Sequence, residues 1–145
     1  MSVVYDLVVK FKQRHPGTIG HRAKSHSKVI EQHLNSGEEV YYAFIAQRND
    51  CLYSIYDSCV VALTSKRILI AQKRVLFGYF FNSITPDMFN DLKVKMGLFW
   101  GRLYIDTIKE KVKLSNISKK ALPEIETKIS EYMIREKRKY QNTVH

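Results

Sequence analysis

Cysteine, proline, glycine and tryptophan are all scarce here: two, three, six and one among 145 residues. Two cysteines, Cys51 and Cys59, are too few for the disulfide framework that holds small secreted domains, and a lone pair in a reducing compartment stays reduced. No structural disulfide is therefore expected. No stretch approaches the roughly 20 consecutive apolar residues that a helix needs to cross a bilayer. The opening Met1-Ser2-Val3-Val4-Tyr5-Asp6 has an acid where a secretory leader needs a basic start, so the expected location is cytoplasmic. There is no internal repeat and no low-complexity segment.

What remains is an ordinary folding composition, 45% hydrophobic and 26% charged, too apolar for a disordered chain. One domain of this length can bury about 70% of its unfolded surface and needs no metal or cross-link to hold together. The net charge of +10 favours a negatively charged partner, whether nucleic acid, anionic membrane or an acidic protein face. The excess is nevertheless spread out. Basic and acidic residues number six and two over 1–36, eleven and eight over 37–116, and seven and four over 117–145. Only folding can gather these charges into a patch.

Over Val3 to Arg14, the positions Val4, Leu7, Val8 and Phe11 recur at helical spacing, and Lys10, Lys12 and Arg14 collect toward the end where the helix dipole favours cations. Pro16-Gly17 stops that helix. A second is predicted over Thr18 to Ser36, with Thr18 as its cap, Gly37 as its terminator and a mostly solvated surface.

After Gly37 the period changes to short runs of β-branched and aromatic residues divided by turn formers. Strands are predicted at Glu39 to Gln47, Ser58 to Thr64, Arg67 to Lys73, Leu76 to Ser83, Leu92 to Met96, Arg102 to Ile108 and Lys111 to Leu114. No helix-sized segment separates them, so they pair as antiparallel hairpins. The first strand is apolar on both faces. Val40, Tyr42, Phe44 and Ala46 point one way, and Tyr41, Ala43 and Ile45 the other, so the two N-terminal helices are expected to cover its outer face. A last helix is predicted over Ser118 to Tyr140, with a stripe of Leu122, Ile125, Ile129, Tyr132 and Met133, and a solvated basic end from Arg135 to Lys139.

This order, and the stretch Val61-Ala62-Leu63-Thr64-Ser65-Lys66-Arg67-Ile68-Leu69-Ile70, resembles the bacterial PH-like (pleckstrin-homology-like) domain family, whose members carry an apolar Leu-Thr-x-x-Arg hairpin followed by aliphatics. Gly97 and Gly101, followed by Leu103 and Ile105, are similar to the family's glycine-marked turn and strand, and Ile117 to Ile129 to its closing helix. The resemblance covers residues 38–134. It implies an α+β fold, a seven-stranded antiparallel split β-barrel capped by a C-terminal helix. Residues 1–37 would be a helical extension, 38–140 the domain and 141–145 a frayed tail.

Phosphoinositide-binding members of the wider superfamily place several cations on the first hairpin. Residues 48–57 of this chain carry one Arg against two Asp, so specific inositol-lipid binding is not expected. Leu52, Tyr53, Ile55 and Tyr56 in that loop, with Tyr41 and Ile45, are instead candidates for a protein contact or for self-association. The second candidate is peripheral attachment to anionic membrane through the first helix and Lys10, Lys12, Arg14, Arg22 and Lys24. Nonspecific nucleic-acid binding ranks third, since aromatics within strands more often fill a core than stack on bases. His15, His21, His26 and His33 lack the number and spacing of a zinc site. No nucleophile elbow, phosphate-cradling loop or paired-carboxylate motif is present. The chain therefore reads as a non-catalytic binding module without metal, cofactor or small-molecule substrate.

Overall fold

A computed structural model describes residues 3–48 and 57–144, the side chains of 140–144 excepted. Two helices, α1 (Val3–Arg14) and α2 (Ala23–His33), precede seven strands: β1 (Val40–Gln47), β2 (Ser58–Thr64), β3 (Ile68–Lys73), β4 (Tyr79–Ile84), β5 (Phe89–Met96), β6 (Trp100–Thr107) and β7 (Lys111–Ser118). The helix α3 (Leu122–Val144) ends the chain.

The strands lie in the order β4-β3-β2-β1-β7-β6-β5, each antiparallel to its neighbours. β1 meets β7 only at Gln47 and Ser115. The sheet therefore divides there into a four-stranded and a three-stranded half and curls into a half-barrel. The junction is polar: Ser115 Oγ donates to the Gln47 carbonyl at 3.3 Å, and Asn116 Nδ2 donates to Gln47 Oε1. Asn116 sits at φ 57°, a left-handed conformation that asparagine tolerates better than most residues.

Every residue of β2 is buried, which requires cover on both of its faces. Leu103, Ile105, Leu114 and Ile117 share one buried core with Ala121 and the α3 stripe of Leu122, Ile125, Ile129, Tyr132 and Met133. Gly101 permits this closure: a Cβ there would lie 2.1 Å from Leu122 Cδ1 and 2.8 Å from the Lys95 carbonyl.

Outside, α1 packs on β1, α2 packs on β2 and β3, and the two helices pack on each other. The Phe11 ring lies 5.9 Å from Phe44 and 6.4 Å, edge-on, from Tyr42. Burying such a ring contributes about 1.5–3 kcal/mol. Val4, Val8, Phe11, Val29 and Ile30 are all buried. The helix α1 thereby covers the Tyr42 and Phe44 side of the doubly apolar β1, and Gly20 of the segment between the helices lies against Ile45. Ala43 and Ile45 are buried and Tyr41 is exposed, with the Arg135 guanidinium 5.1 Å from the Tyr41 ring.

Several elements differ from the sequence expectation: β5 begins at Phe89 rather than Leu92, β7 runs to Ser118 rather than ending at Leu114, and α3 spans Leu122–Val144 rather than Ser118 to Tyr140. The second helix begins at Ala23, not Thr18, because residues 17–21 dock on the sheet. The Thr18 hydroxyl accepts from the Ser118 N–H at 3.0 Å, and the Ile19 N–H donates to the Asn116 carbonyl at 3.0 Å. Gly20 lies so close to Ile45 that a Cβ would fall 2.5 Å from Cγ1. Arg22, at φ 58°, turns the chain into the helix without a side-chain cap, and the helix buries His26, Ser27, Val29 and Ile30 where a solvated surface was expected. The fourth strand begins at Tyr79, leaving Val75, Leu76 and Phe77 on the turn before it. The basic end of α3 is not simply solvated. Glu136 is buried between Arg135 and Lys139, and Lys137 Nζ donates to the Phe89 carbonyl at 2.8 Å.

Candidate functional site

The Leu-Thr-x-x-Arg stretch is a structural fastening. Thr64 Oγ1 accepts the N–H groups of Lys66 and Arg67 at 3.2 and 3.1 Å, shaping the β2–β3 turn, and donates to Glu38 Oε2. Arg67 grips the buried Glu38 carboxylate with two bonds of 3.1 Å, and also donates to the His33 carbonyl at 2.8 Å and to Ser83 Oγ at 3.3 Å. One guanidinium thus joins the end of α2, the approach to β1 and the strand β4. Burial alone would raise the Glu38 pKa, but the bonds from Arg67, the Asn35 N–H and Thr64 outweigh it and hold the carboxyl below its usual range.

A second cluster fixes the start of α3. Arg14 pairs with both Glu124 oxygens at 3.1 Å, and Tyr42 donates its hydroxyl to Oε2 at 2.6 Å. His15 Nε2 lies 3.3 Å from the same oxygen without the alignment of a hydrogen bond. Burial opposes ionisation, yet these partners bring the Glu124 pKa down to about 2. Burial also pushes the Tyr42 hydroxyl well above its ordinary value. Both clusters spend their polar groups on one another, which suits them to holding elements together rather than to reacting.

The anionic-surface candidates are dispersed. Arg14 is committed to Glu124, Lys12 Nζ donates to the Thr18 carbonyl at 2.6 Å, and Arg22 donates to the Lys73 carbonyl at 2.9 Å. Partial burial lowers the Lys12 pKa. Lys10 and Lys24 are exposed. The apolar stripe beneath them, Val4, Val8 and Phe11, faces the core. Two histidines are held within the fold: His26 Nδ1 accepts the Lys73 N–H at 2.8 Å, and His33 stacks on Phe81 at 4.2 Å with Nδ1 2.7 Å from the Val29 carbonyl. Among the described residues no group of three or more His, Cys, Asp or Glu could hold a metal ion, and no helix is long and apolar enough to cross a membrane. Cys59 is a free thiol, and burial lifts its pKa to about 12.

Leu52, Tyr53, Ile55 and Tyr56 lie outside the described residues, as does Cys51. Their loop joins β1 to β2 at a strand end that the structure does describe, bridged by the Arg48 N–H donating to the Asp57 carbonyl at 2.8 Å. At that same end stands the β3–β4 turn. The Arg74 N–H donates to the Gly78 carbonyl at 3.1 Å, and Gly78 takes φ 71°, a conformation a side chain would strain. Leu76 is 83% and Phe77 85% exposed. They border an open cleft of about 840 Å³ with Val75, Arg74, Gln72 and Arg48. Arg48 is held there, its guanidinium 3.5 Å from the centre of the Phe80 ring and bonded to Gln72 Oε1 at 3.0 Å. Of the sequence candidates, Ile45 lies buried against Gly20, and Tyr41 sits beside Arg135. Neither is placed at the cleft. Sequence reading missed Val75 to Phe77 because an apolar triplet beside a strand scores as strand. The signal available was Gly78, which marks a tight turn immediately after it.

Comparison with known proteins agrees with this geometry. The family described as Bacterial PH domain matches residues 34–131, which contain all seven strands and the first turns of α3. Among solved structures, the crystal structure of a pleckstrin homology domain from Shewanella amazonensis SB2B aligns with a TM-score of 0.51 and 16% identity, covering 86% of this chain and 98% of that one. At that identity the likeness is one of fold. The curated proteins contain no match. With more than half of its residues matched and the seven-stranded, helix-closed half-barrel in place, the chain belongs to the bacterial PH domain family.

Proposed function

We propose that this chain is a non-catalytic binding module whose contact is with a protein, a second copy of itself included, made at the strand end shared by the β1–β2 and β3–β4 connections. The observation that carries this reading is the exposure of Leu76 and Phe77 on a turn closed by its own hydrogen bond, above an open cleft. A turn whose backbone is already closed loses little further backbone freedom on docking, and exposed aromatic anchors dominate protein interfaces. Arg48 and Arg74 border the cleft and favour an apolar segment with acidic neighbours. A reducing, cytoplasmic setting suits the free Cys59 thiol.

The test is a photo-crosslinking residue substituted for Phe77 in cells, with one at exposed Lys109 as the control. A discrete adduct specific to position 77 is expected. Light scattering across a concentration series then tells a second copy from a different protein. A strictly monomeric chain that gives no adduct at position 77 overturns the reading.

A further inference from the structure

Where α2 meets the β3–β4 hairpin, the two leave a recess of about 270 Å³ between them. Ser25, Lys28 and Gln32 follow one another at three and four positions and so share one face of α2, and they line the recess together with Arg22, Lys73 and Tyr79. Its frame is fixed. The main chain of Lys73 is held on both sides: its N–H donates to His26 Nδ1 at 2.8 Å, and its carbonyl accepts from Arg22 Nη1 at 2.9 Å. Tyr79 is the cross-strand partner of Lys73, with its hydroxyl 3.1 Å from His33 Nε2 and its ring edge-on to that imidazole at 5.0 Å.

Three cations converge here from three parts of the chain. Arg22 precedes α2, Lys28 lies on it and Lys73 ends β3. No carboxylate lines the recess, and among the described residues none forms an ion pair with any of the three. Such crowding of like charge costs the folded chain repulsion, and the exposed ammonium groups of Lys28 and Lys73 fasten no element to another. Arg22 uses Nη1 on the Lys73 carbonyl, and the rest of its planar fork meets no acceptor among the described residues. The one aliphatic side chain of the lining, Val29, is buried, so nothing exposed there offers an acyl chain a place to enter.

A preformed, polar, wholly cationic recess is complementary to a small anion of high charge. An arginine fork takes phosphate oxygens in pairs, and lysines add point charges. A single phosphate group carries about −1.5 to −2 at neutral pH, so two linked phosphates are needed to balance three cations. The volume lies just below the roughly 300–1,000 Å³ of pockets for drug-sized ligands, which suits a compact group. We propose that this recess binds a soluble compound bearing a diphosphate, with Arg22, Lys28 and Lys73 holding the two phosphates and Ser25 and Gln32 donating to them. The ligand ties α2 to the β3–β4 hairpin. Arg22, Ser25, Lys28 and Gln32 all precede residue 34, where the family match begins, so the site is built jointly by the extension and the domain. It shares no lining residue with the cleft at Leu76 and Phe77, and the two sites are independent.

Inorganic pyrophosphate is the probe. Calorimetric titration of the full chain at physiological salt should show one saturable site, with orthophosphate bound at least about tenfold more weakly for want of the second phosphate. Pyrophosphate at about a hundred times its dissociation constant should raise the melting temperature by about 5 °C or more. Lys28→Gln with Lys73→Gln should weaken the binding at least about tenfold. Lys95→Gln with Lys119→Gln makes the same change of charge on the three-stranded half, and should leave the binding within about twofold of the parent, because salt screens charges beyond about 8 Å. All four lysines are exposed, and an unchanged melt without ligand checks the folding of both variants. Equal weakening by the two pairs would assign the effect to net charge and not to a site. That result, the lack of a saturable pyrophosphate site, orthophosphate bound as tightly as pyrophosphate, or binding only to phosphate presented on vesicles of phosphatidic acid overturns the proposal.

Discussion

His26 is buried on α2, takes the Lys73 N–H on Nδ1, and leaves Nε2 enclosed without a hydrogen-bond partner. Such a ring is stable only while neutral: burial, with the charge of Arg22 adding to it, lowers its pKa from 6.5 to about 4. Below pH 6.5 the unfolded chain takes up a proton that the folded chain refuses until about pH 4, so stability falls as the pH drops through that window. The loss should reach about 2 kcal/mol by pH 5. Carboxylates act lower. The contribution of Glu124, whose pKa is brought to about 2, is complete above about pH 4.5 and disappears only as the pH falls toward 2. His26→Asn keeps an acceptor for the Lys73 N–H but does not titrate. Urea midpoints measured at pH 7 and pH 5 should differ for the parent and coincide for this variant; a parent whose midpoint does not move would show that the ring is not held neutral.

At the scale of elements, the closure of the half-barrel by α3 depends on a position without a side chain. A Cβ on Gly101 meets both Leu122 and the backbone of Lys95, and a carbonyl in a ladder cannot move aside as a side-chain tip can. Gly101→Ala should therefore lower the melting temperature by about 5 °C or more, through overpacking, with faster amide exchange concentrated in α3. A variant melting within a degree of the parent would mean that the helix sits farther from the sheet. Such closeness leaves a trace in sequence only as a glycine beside a strand, which reads equally well as a turn. The elements whose burial is repeated along the chain were legible. Val4, Val8 and Phe11 mark α1, Leu122 to Met133 mark α3, and the alternation of Leu103, Ile105, Val112 and Leu114 marks a hairpin. Residues 17–21 were not legible, because Thr18 has the chemistry of a helix cap and spends it on the Ser118 N–H. The exposed turns were legible only in part, since Val75 to Phe77 have strand-like composition, and what keeps them out of the sheet is the closing bond between Arg74 and Gly78.

At the scale of the whole molecule, the family match begins at residue 34, and the question is whether the residues before it are an appendage. The packing argues that they are integral. Val4, Val8, Phe11, Val29 and Ile30 are each buried, and at about 1.5–3 kcal/mol apiece their burial contributes on the order of 10 kcal/mol. That is an upper bound, because the unfolded chain already hides some of this surface. It is still comparable with the roughly 5–15 kcal/mol that holds an entire domain folded. Their removal would also uncover Phe44 and Ile45 on β1 and take the His33 carbonyl from Arg67. A fragment spanning residues 38–145 should therefore lose its cooperative melt and bind a hydrophobic dye at 25 °C, although it retains every strand and the whole of α3. If that fragment instead melted cooperatively within a few degrees of the full chain, β1 would tolerate an open outer face, and the two N-terminal helices would be free to serve a partner instead of the fold.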